Sequence, residues 1–425
     1  MTAHADRHNQ YLASHPWITF RFRLADLLPS DWINIGEAWS KCDHIAGVPL
    51  KPDIADMLHR VYLVKGVHAT TQIEGNTLSE SEVDRRVDGD LDLPESQEYL
   101  GTEVDNILHG CDMIAHDLAA GNDMKLDTRK VKLFNAIVLD NLPLEEGVKP
   151  GQVRQGSVVV GNSYRGAPWQ ECDYLLDRMS EWLDEIVRDI PDEYLRPMKL
   201  IRAILAHLYL AWIHPFGDGN GRTARLVEFQ LLAESGFPTP ACHLLSNYYN
   251  RTRQMYYRVL AETSRPPYPV HRFVSYALRG FVEELREQLQ VIRVQQHHVA
   301  WVNYVHERFR NATSSTSHRQ RELVLALDDT FTSISDLRRL TPSLAEQYAG
   351  KQQKTITRDV NALIKLGLVQ RGRAGIRPRM ELLKAFLPIR MHHQITSGFE
   401  TLGHAIPSAV DPPTGERAGT GAATT

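Results

Sequence analysis

The segment HPFGDGNGRTAR, residues 214–225, decides the fold of this chain because it joins two strongly predicted helices. The apolar run before it, PMKLIRAILAHLYLAWI (197–213), has the composition and period of a buried helix. That helix is predicted to end at His214, since Pro215 disfavours helical backbone in the residue before it. A second helix is predicted over about residues 222–234. The segment is therefore expected to form a glycine-rich loop that leads into a helix N-terminus.

The side chains of this loop suit a polyphosphate. Gly219 and Gly221 allow the backbone to turn its N–H groups into one concavity, and the helix N-terminus adds partial positive charge. Arg222 and Arg225 are three residues apart, so they share a helix face and can reach different phosphates. Asp218 supplies one hard carboxylate of the kind that holds Mg²⁺ beside phosphates.

His214 is the one residue of the loop that exchanges a proton near pH 7. No GK[ST] follows the glycines and no strand is predicted before them, so the loop differs from a Walker loop. The combination indicates a nucleotide site with a general base. The alternative is a glycine-rich helix connection with a core histidine.

Residues 214–225 resemble the signature of the Fic family, H-x-F-x-[D/E]-G-N-G-R-x-x-R, and every specified position matches. The resemblance implies a protein adenylyltransferase that transfers AMP from Mg·ATP to a Ser, Thr or Tyr hydroxyl of a target protein and releases pyrophosphate. It implies that His214 deprotonates that hydroxyl, that Asp218 is the Mg²⁺ ligand, and that Phe216 anchors the loop in the core. The residues that it assigns to nucleotide binding in the loop are Asp218, Gly219, Asn220, Gly221, Arg222, Thr223, Ala224 and Arg225. Within this set Asn220 and the glycine amides would lie at the α-phosphate, and the two arginines at the outer phosphates.

A short β-hairpin is predicted to interrupt the helical pattern within residues 149–169. The β-branched run VVV (158–160) is followed by Gly-Asn, which is typical of a hairpin turn. Fic proteins hold their target in extended form against such a flap, so the resemblance implies target docking on residues 157–167. The flap residues expected nearest the nucleotide are Val160, Gly161, Asn162 and Ser163. An ordinary exposed hairpin is the alternative.

Residues 70–76, TTQIEGN, follow a helix predicted over 54–68 and resemble the Fic inhibitory motif [S/T]-x-x-x-E-[G/N]. A carboxylate at this point can pair with Arg225 and occupy the γ-phosphate position. Its place before the signature resembles the cis-inhibited class with an N-terminal inhibitory helix, so autoinhibition by Glu74 is expected. In some Fic proteins this glutamate positions water for AMP removal, which leaves a de-AMPylase open. A common helix C-terminus followed by Gly-Asn is the structural alternative.

The run NYYNRTRQMYY (247–257) places four tyrosines on a helix after the loop. The family puts a tyrosine near Tyr257 beside the adenine. An aromatic stripe at helical spacing is, however, also typical of a core, and both interpretations are kept.

The composition limits the classes of protein to which the chain can belong. The chain has 425 residues, 24% of them charged, and a net charge of −4, which excludes wholesale disorder and suggests two or three domains. No run approaches 18 apolar residues, and the N-terminus lacks a secretory apolar region, so we expect a cytoplasmic protein without membrane contact. The four cysteines are scattered without a CxxC, which excludes a zinc ribbon and predicts buried free thiols.

The C-terminal part resembles a winged helix. Helices are predicted over 319–327, 333–340 and 354–367, and two strands of a wing follow up to residue 380. Residues 351–380 carry eight basic residues against one acidic residue, a balance of 8 − 1 = +7 that could contact DNA phosphates. A protein-docking or dimerisation module is the alternative. A DNA-binding regulator whose Fic domain senses nucleotide is therefore a further hypothesis for the whole chain.

The predicted fold is mainly α: a Fic helical core with a β-hairpin flap, an N-terminal helical extension and a C-terminal winged helix. Further helices are predicted after the capping-box pattern at Ser79 and over 98–119, 126–141 and 173–188, and a long helical stretch is predicted to about residue 310. Residues 311–317 are interpreted as a linker. The predicted domains are 1–95 (extension), 96–310 (Fic domain), 318–390 (winged helix) and 391–425 (disordered tail). Many Fic proteins form homodimers, and no residue here establishes one.

Overall fold

The structure is a computed structural model. It describes residues 11–48, 50, 52–160 and 164–384. The chain divides into two compact units, Met1–Leu289 and Gln290–Thr425. The predicted tail at 391–425 and the predicted hairpin turn at 161–163 lie outside the described residues.

The first unit is almost entirely helical, as predicted. Its helices are α1 (Pro29–Gly47), α2 (Pro52–Gln72), α3 (Glu80–Val87), α4 (Glu98–Ala120), α5 (Thr128–Val138), α6 (Cys172–Glu185), α7 (Asp192–Ile213), α8 (Asn220–Glu234), α9 (Thr239–Cys242), α10 (Leu244–Arg251), α11 (Arg253–Thr263) and α12 (Val270–Arg308). The last of these continues across the division between the units. The N-terminal extension is thus helical through α1 and α2, and the predicted helices at 54–68, 98–119, 126–141, 173–188 and 197–213 are confirmed.

Local sequence explains where several of these helices begin. Ser79 and Glu82 form the predicted capping box: the Ser79 hydroxyl accepts from the Glu82 N–H at 3.3 Å, and the Glu82 carboxylate accepts from the Ser79 N–H at 2.8 Å. Asp127 caps α5 in the same way, since its carboxylate accepts from the Lys130 N–H at 2.8 Å. These side chains satisfy N–H groups that have no partner inside the helix.

Helices α7 and α8 form the centre of the first unit. Every residue from Leu200 to Ile213 is buried, and so is every residue from Arg222 to Ala233. Helix α8 packs against α4 and α5, whereas α7 packs against α6. A helix that is buried on all sides is a core helix, so the loop between α7 and α8 is held at both ends by core helices.

The long helical stretch predicted after α8 is wrong. Four helices replace it, because the chain breaks at His243, at Thr252, where φ is −113° and ψ is 34°, and over residues 264–269. The latter segment contains three prolines, which cannot donate the backbone bonds of a continuing helix.

The second unit consists of short helices followed by a two-stranded hairpin. Its elements after α12 are α13 (Ser315–Leu325), α14 (Pro342–Gln347), α15 (Gln353–Lys365), β3 (Val369–Gly372) and β4 (Gly375–Pro378). The two strands pair antiparallel from Val369 opposite Pro378 to Gly372 opposite Gly375, and Thr332 adds a bridge to Ile376. Buried side chains of α13, α15 and the hairpin form its core, among them Leu323, Val360 and Ile376.

Two predictions for this unit are wrong. The helix predicted over 333–340 is only a 3₁₀ turn at Leu337–Arg339, because Thr332 is drawn into extended pairing with Ile376. A helix begins instead at Pro342, whose fixed φ suits a first helical position, with the Thr341 hydroxyl accepting from the Leu344 N–H at 3.1 Å. The linker at 311–317 is shorter than predicted, since α13 already begins at Ser315.

All four cysteines are buried and free, as predicted. Burial raises the pKa of the Cys111 thiol to about 12, which keeps that thiol unreactive. Within the part of the chain that the structure describes, no helix combines the length and the apolar character needed to cross a bilayer.

Candidate active site

His214 ends α7 in the left-handed conformation, with a φ of 48°. Its Nδ1 lies 3.3 Å from the Ala211 carbonyl oxygen, an arrangement that assigns the proton to Nδ1 and leaves Nε2 as the acceptor. Burial lowers the pKa of this imidazole to about 4, and the nearby Arg154 adds to that effect. The ring is therefore neutral at pH 7 with a free basic nitrogen.

Arg154 holds the backbone of this histidine and was missed by sequence reasoning. Its Nε donates to the His214 carbonyl at 2.8 Å, and its Nη atoms donate to the carbonyls of Gly156 and Ala167. The guanidinium is buried, and burial lowers its pKa. One side chain thus joins the catalytic loop to both ends of the hairpin. Its place shortly before the hairpin signal at 158–162 is the hint that the sequence offers.

Two asparagines fix the shape of the loop. The Asn220 amide both donates to the Phe216 carbonyl and accepts from the Phe216 N–H, each at 2.9 Å. Asn135 of α5 donates to the Asp218 carbonyl at 2.9 Å and accepts from the Gly151 N–H at 3.0 Å. Phe216 is 1% exposed, which confirms it as the core anchor of the loop. Asn135 had no signal in the sequence.

The first turn of α8 presents unpaired backbone donors. Its first internal bond runs from the Thr223 N–H to the Gly219 carbonyl at 2.9 Å. The N–H groups of residues 220–222 therefore have no acceptor inside the helix, as an anion-binding helix N-terminus requires. Thr223 and Ala224 are fully buried, and the Thr223 hydroxyl donates to Gly219 at 2.8 Å. The side chains of these two predicted binding residues are thus committed to the core.

Glu74 and Arg225 form the predicted ion pair. The Arg225 Nη2 lies 2.6 Å from the Glu74 Oε1 and 2.9 Å from the Thr70 carbonyl. Burial pushes the pKa of Glu74 upward, but the charge and hydrogen bond of Arg225 outweigh it and hold that pKa below its ordinary value. A Cβ at position 221 would lie 2.0 Å from the Glu74 Oε1, so only glycine there lets the carboxylate rest against the helix N-terminus.

Arg222 is held by a carboxylate that the sequence did not reveal. Its Nη1 donates to the Glu103 Oε1 of α4 at 2.6 Å, and its Nη2 lies 3.3 Å from the Asp218 Oδ1. Glu103 also accepts from the Asn76 amide at 2.8 Å. Residues of the motif at 70–76 thus reach both arginines of the loop, one directly and one through Glu103.

The charges and donors of this site fit a nucleotide polyphosphate. Arg225 Nε, Arg225 Nη1 and Arg222 Nε are buried and have no hydrogen-bond acceptor. Buried cationic donors without acceptors are costly unless an anion binds there. Asp218 has a side chain that is 51% exposed, as a Mg²⁺ ligand shared with phosphates requires. Among the described residues no group of three or more His, Cys, Asp or Glu could hold a metal by itself.

The predicted hairpin is present. Strands β1 (Val159–Val160) and β2 (Tyr164–Arg165) pair antiparallel, with Val159 opposite Arg165 and Val160 opposite Tyr164. Val159 is 59% exposed and Val160 is half-buried. Gly161, Asn162 and Ser163, which were predicted to lie nearest the nucleotide, are outside the described residues.

The base of the hairpin touches His214. A Cβ at Gly166 would lie 3.0 Å from the His214 Cβ, so the residue after β2 packs against the base of the His214 side chain. The Tyr164 hydroxyl donates to the Ala211 carbonyl at 3.0 Å, the same oxygen that the His214 Nδ1 faces. From the N-terminal extension, the His15 Nε2 lies 3.0 Å from the Gly166 carbonyl.

Tyr257 lies beside the motif at residues 70–76. Its hydroxyl donates to the Ile73 carbonyl at 3.3 Å, one residue before Glu74, and its side chain is 38% exposed. The neighbouring Tyr256 is buried instead, with its hydroxyl 2.9 Å from the His207 Nε2. The aromatic stripe is thus divided between the core and the rim of the site.

Comparison with known proteins agrees with this geometry. Residues 125–232 match the Fic/DOC family. The chain is 31% identical over 191 residues to "Protein adenylyltransferase fic-1" of Caenorhabditis briggsae, an alignment that covers 43% of this chain and 34% of that protein. It is 30% identical over 189 residues to the Caenorhabditis elegans protein of the same name, with the same two coverages. The chain spans about a third of the length of the curated relatives that it matches.

Solved structures show the same fold. A Fic family protein from Desulfovibrio desulfuricans G20 superposes with a TM-score of 0.52 at 19% identity, covering 82% of this chain and 93% of that chain. Residues 134–508 of Fic-1 from C. elegans superpose with a TM-score of 0.50 at 22% identity, covering 62% and 73% of the respective chains. The chain therefore carries a Fic/DOC family domain, matched over residues 125–232, within a mainly α-helical Fic fold.

Proposed function

We propose that this chain is a protein adenylyltransferase that transfers AMP from Mg·ATP to a Ser, Thr or Tyr hydroxyl of a target protein. One observation carries the proposal: a neutral histidine with a free Nε2 stands beside buried guanidinium N–H groups that have no acceptor. A general base next to donors that bind an anion suits attack of a hydroxyl on a phosphate. The relatives named as protein adenylyltransferases support the same reaction.

His214 performs the proton transfer. Its Nε2 accepts the proton of the target hydroxyl as the hydroxyl oxygen forms a bond to the α-phosphorus. The bond from the α-phosphorus to the bridging oxygen of the β-phosphate breaks, and pyrophosphate leaves with the electron pair of that bond. Arg154 and the Ala211 carbonyl hold the imidazole in the required orientation throughout.

The first turn of α8 and the two arginines bind the phosphates. The N–H groups of residues 220–222 suit the α-phosphate region, whereas Arg222 and Arg225 suit the outer phosphates. Asp218 would hold the Mg²⁺, which neutralises phosphate charge when bound. Asn220 contributes through its backbone, since both ends of its amide are bonded to Phe216.

We further propose that Glu74 inhibits the site in cis. Its carboxylate lies 2.6 Å from the Arg225 guanidinium and occupies the space that the γ-phosphate would need. Removing the carboxylate frees Arg225 for the nucleotide and lifts the inhibition.

The target protein is proposed to dock in extended form on the flap at 157–167. Exposed Val159 and the strand edge of β1 offer the backbone groups for such pairing. The C-terminal unit is a separate candidate surface, for DNA or for a protein partner, and a homodimer also stays a prediction.

Removal of AMP is the second candidate function. The Glu74 side chain is charged, lies near His214 and is 31% exposed. It could therefore orient a water molecule toward an AMP-modified side chain. In this reaction Glu74 is required, whereas in AMP transfer it is inhibitory. The two functions therefore respond in opposite directions to the same substitution.

The experiment is intact-protein mass spectrometry after incubation with Mg·ATP. Three proteins are compared: wild type, Glu74→Gly, and Glu74→Gly combined with His214→Ala. A gain of one AMP on the single variant alone supports transfer, the base and the inhibition together. The modified protein is then incubated with wild type, and loss of AMP that depends on Glu74 would favour the removal enzyme. Tight Mg·ATP binding by the single variant with no labelling, even in a cognate lysate, would contradict the transferase.

A further inference from the structure

The second unit presents a continuous charged face. Four exposed residues of α15 are spaced so that they share one side of the helix, and two exposed arginines follow in the β3–β4 hairpin. These six residues, here called the basic face, are Lys354, Arg358, Asn361, Lys365, Arg371 and Arg373. The Arg371 Nη2 donates to the Asn361 Oδ1 at 3.2 Å, which ties the helix to the hairpin within this face.

Among the described residues, no acidic side chain forms an ion pair with the basic face. Asp359 is the one acidic residue between 351 and 380, and it is 2% exposed. Its carboxylate accepts from the Arg319 Nε at 2.8 Å and from the Tyr348 hydroxyl at 3.0 Å. The Asp359 side chain thus points into the core, where its charge is paired with these two partners. The two hairpin cations with acidic partners, Arg377 beside Asp329 and Arg379 beside Glu381, lie outside the face.

The basic face also lacks the apolar centre of a protein-docking surface. Among the described residues of the second unit, the exposed large hydrophobic side chains are Phe331 and Leu382, and neither belongs to α15. Phe331 lies under Arg377, whose guanidinium is 5.3 Å from its ring centroid. Protein interfaces bury apolar and aromatic side chains at their centre and are depleted of lysine. The composition of this face therefore favours a polyanion over a protein.

We propose that the basic face binds double-stranded DNA, with α15 in the major groove and the β3–β4 turn on the flanking backbone. Helix α15 has 13 residues and is about 20 Å long at the standard rise per residue. The major groove of B-form DNA admits a helix, whereas the deep, narrow groove of duplex RNA does not. Lysines and arginines at both ends of the face would contact phosphates on either side of the groove. This binding is independent of the nucleotide chemistry in the first unit.

The experiment measures binding of the full chain to a fluorescent DNA duplex of about 25 base pairs and arbitrary sequence, by anisotropy from low to physiological salt. The test variant combines Lys354→Gln, Arg358→Gln and Arg371→Gln. The matched control combines Lys125→Gln, Arg129→Gln and Arg272→Gln, which remove the same charge from exposed residues of the first unit. Circular dichroism and thermal unfolding of all three proteins confirm that the folds are equal.

We expect the test variant to bind DNA at least about tenfold more weakly at low salt, and its salt slope to fall by about one for each phosphate contact removed. The control variant should match wild type. Failure of wild type to bind the duplex at low salt would overturn the proposal, and so would equal losses in both variants. Poly-glutamate or duplex RNA that competes as well as the DNA would also overturn it, in favour of an acidic protein partner or of a surface that does not enter the groove.

Discussion

The loop at 214–225 and the basic face of α15 both concentrate positive charge, but they do so in opposite ways. Arg222 and Arg225 are 4% and 2% exposed, and each is held by a carboxylate from another segment, Glu103 of α4 and Glu74 just after α2. Lys354 and Arg358, by contrast, are exposed, and the one acid near them is turned inward. The first region fixes each guanidinium in a single orientation, whereas the second leaves its cations free to follow a ligand.

The difference teaches what kind of anion each region suits. Buried, oriented guanidinium groups bind one small anion with defined geometry and are little screened by salt. Exposed cations on a helix face bind an extended polyanion through many weak contacts, so their binding depends steeply on salt. The same residue types thus serve two chemistries, and burial decides between them.

The largest expected effect breaks the chemistry of the first region alone. In the Glu74→Gly background, His214→Ala should slow AMP transfer by about 100- to 10,000-fold, because the proposed general base is removed. Affinity for Mg·ATP should change by less than about threefold, since the phosphate-binding groups remain. Single-turnover labelling and equilibrium nucleotide binding check the two values. A rate that survives the substitution would exclude His214 as the base.

Salt should separate the two regions. Raising salt from about 50 to about 200 mM should weaken DNA binding by about 100-fold if four phosphates are contacted. The rate of AMP transfer at saturating ATP should change by less than about threefold, because buried pairs are poorly screened. Both quantities are measured on the same Glu74→Gly protein. If DNA affinity and the rate of AMP transfer depended equally on salt, the difference in burial between the basic face and the loop would not control their salt dependence.

Arg154 tests whether a buried cation can act only by positioning. Arg154→Met should lower kcat by about 10- to 100-fold and leave KM for ATP nearly unchanged, because the His214 carbonyl loses its donor and the imidazole shifts. Arg154→Lys should recover part of kcat. Arg129→Met, at a fully exposed arginine, is the control, and thermal unfolding shows whether each variant folds. A change in KM alone would assign Arg154 to nucleotide binding instead.

The smallest expected effect is that of pH. Burial lowers the pKa of His214 to about 4, so the base is already deprotonated above that value and loses activity only as pH falls through it. Glu74 raises that pKa, and its removal in Glu74→Gly therefore moves the inflection further down. Between pH 6 and 8 the rate of AMP transfer should vary by less than about twofold. A fall centred near the ordinary histidine pKa would show that the imidazole is more solvated than the structure has it.

Helix ends and loops, which depend on neighbouring residues, could be predicted from the sequence. The end of α7 at Ile213 follows from the apolar run and Pro215, and the structure agrees. Helix α7 begins at Asp192, five residues before its predicted start, and α8 begins at Asn220, two residues before its predicted start. The pairing of Glu74 with Arg225 was also predicted, although only through the resemblance to a family motif, and the atoms lie 2.6 Å apart.

The residues that orient the site were beyond sequence reasoning. Asn135, Arg154 and Glu103 come from three different segments and act through single long-range bonds, which leave no periodic trace in the chain. The helix wrongly predicted at 333–340 failed for the same kind of reason. Its first residues have helical spacing, but pairing of Thr332 with Ile376, more than 40 residues later, draws the chain into extended form.

The left-handed backbone of His214 lowers the stability of the fold but gives the side chain the position that activity needs. A side chain in that conformation costs about 1 kcal/mol relative to glycine, which is the usual residue at the end of a helix. The strain turns the imidazole out of α7 at the moment the helix stops, beside Gly166, the residue after β2. Selection for stability alone would therefore tend to remove the reactive group from this position. Ranking variants at 214 by melting temperature and then by AMP transfer should give two nearly opposite orders.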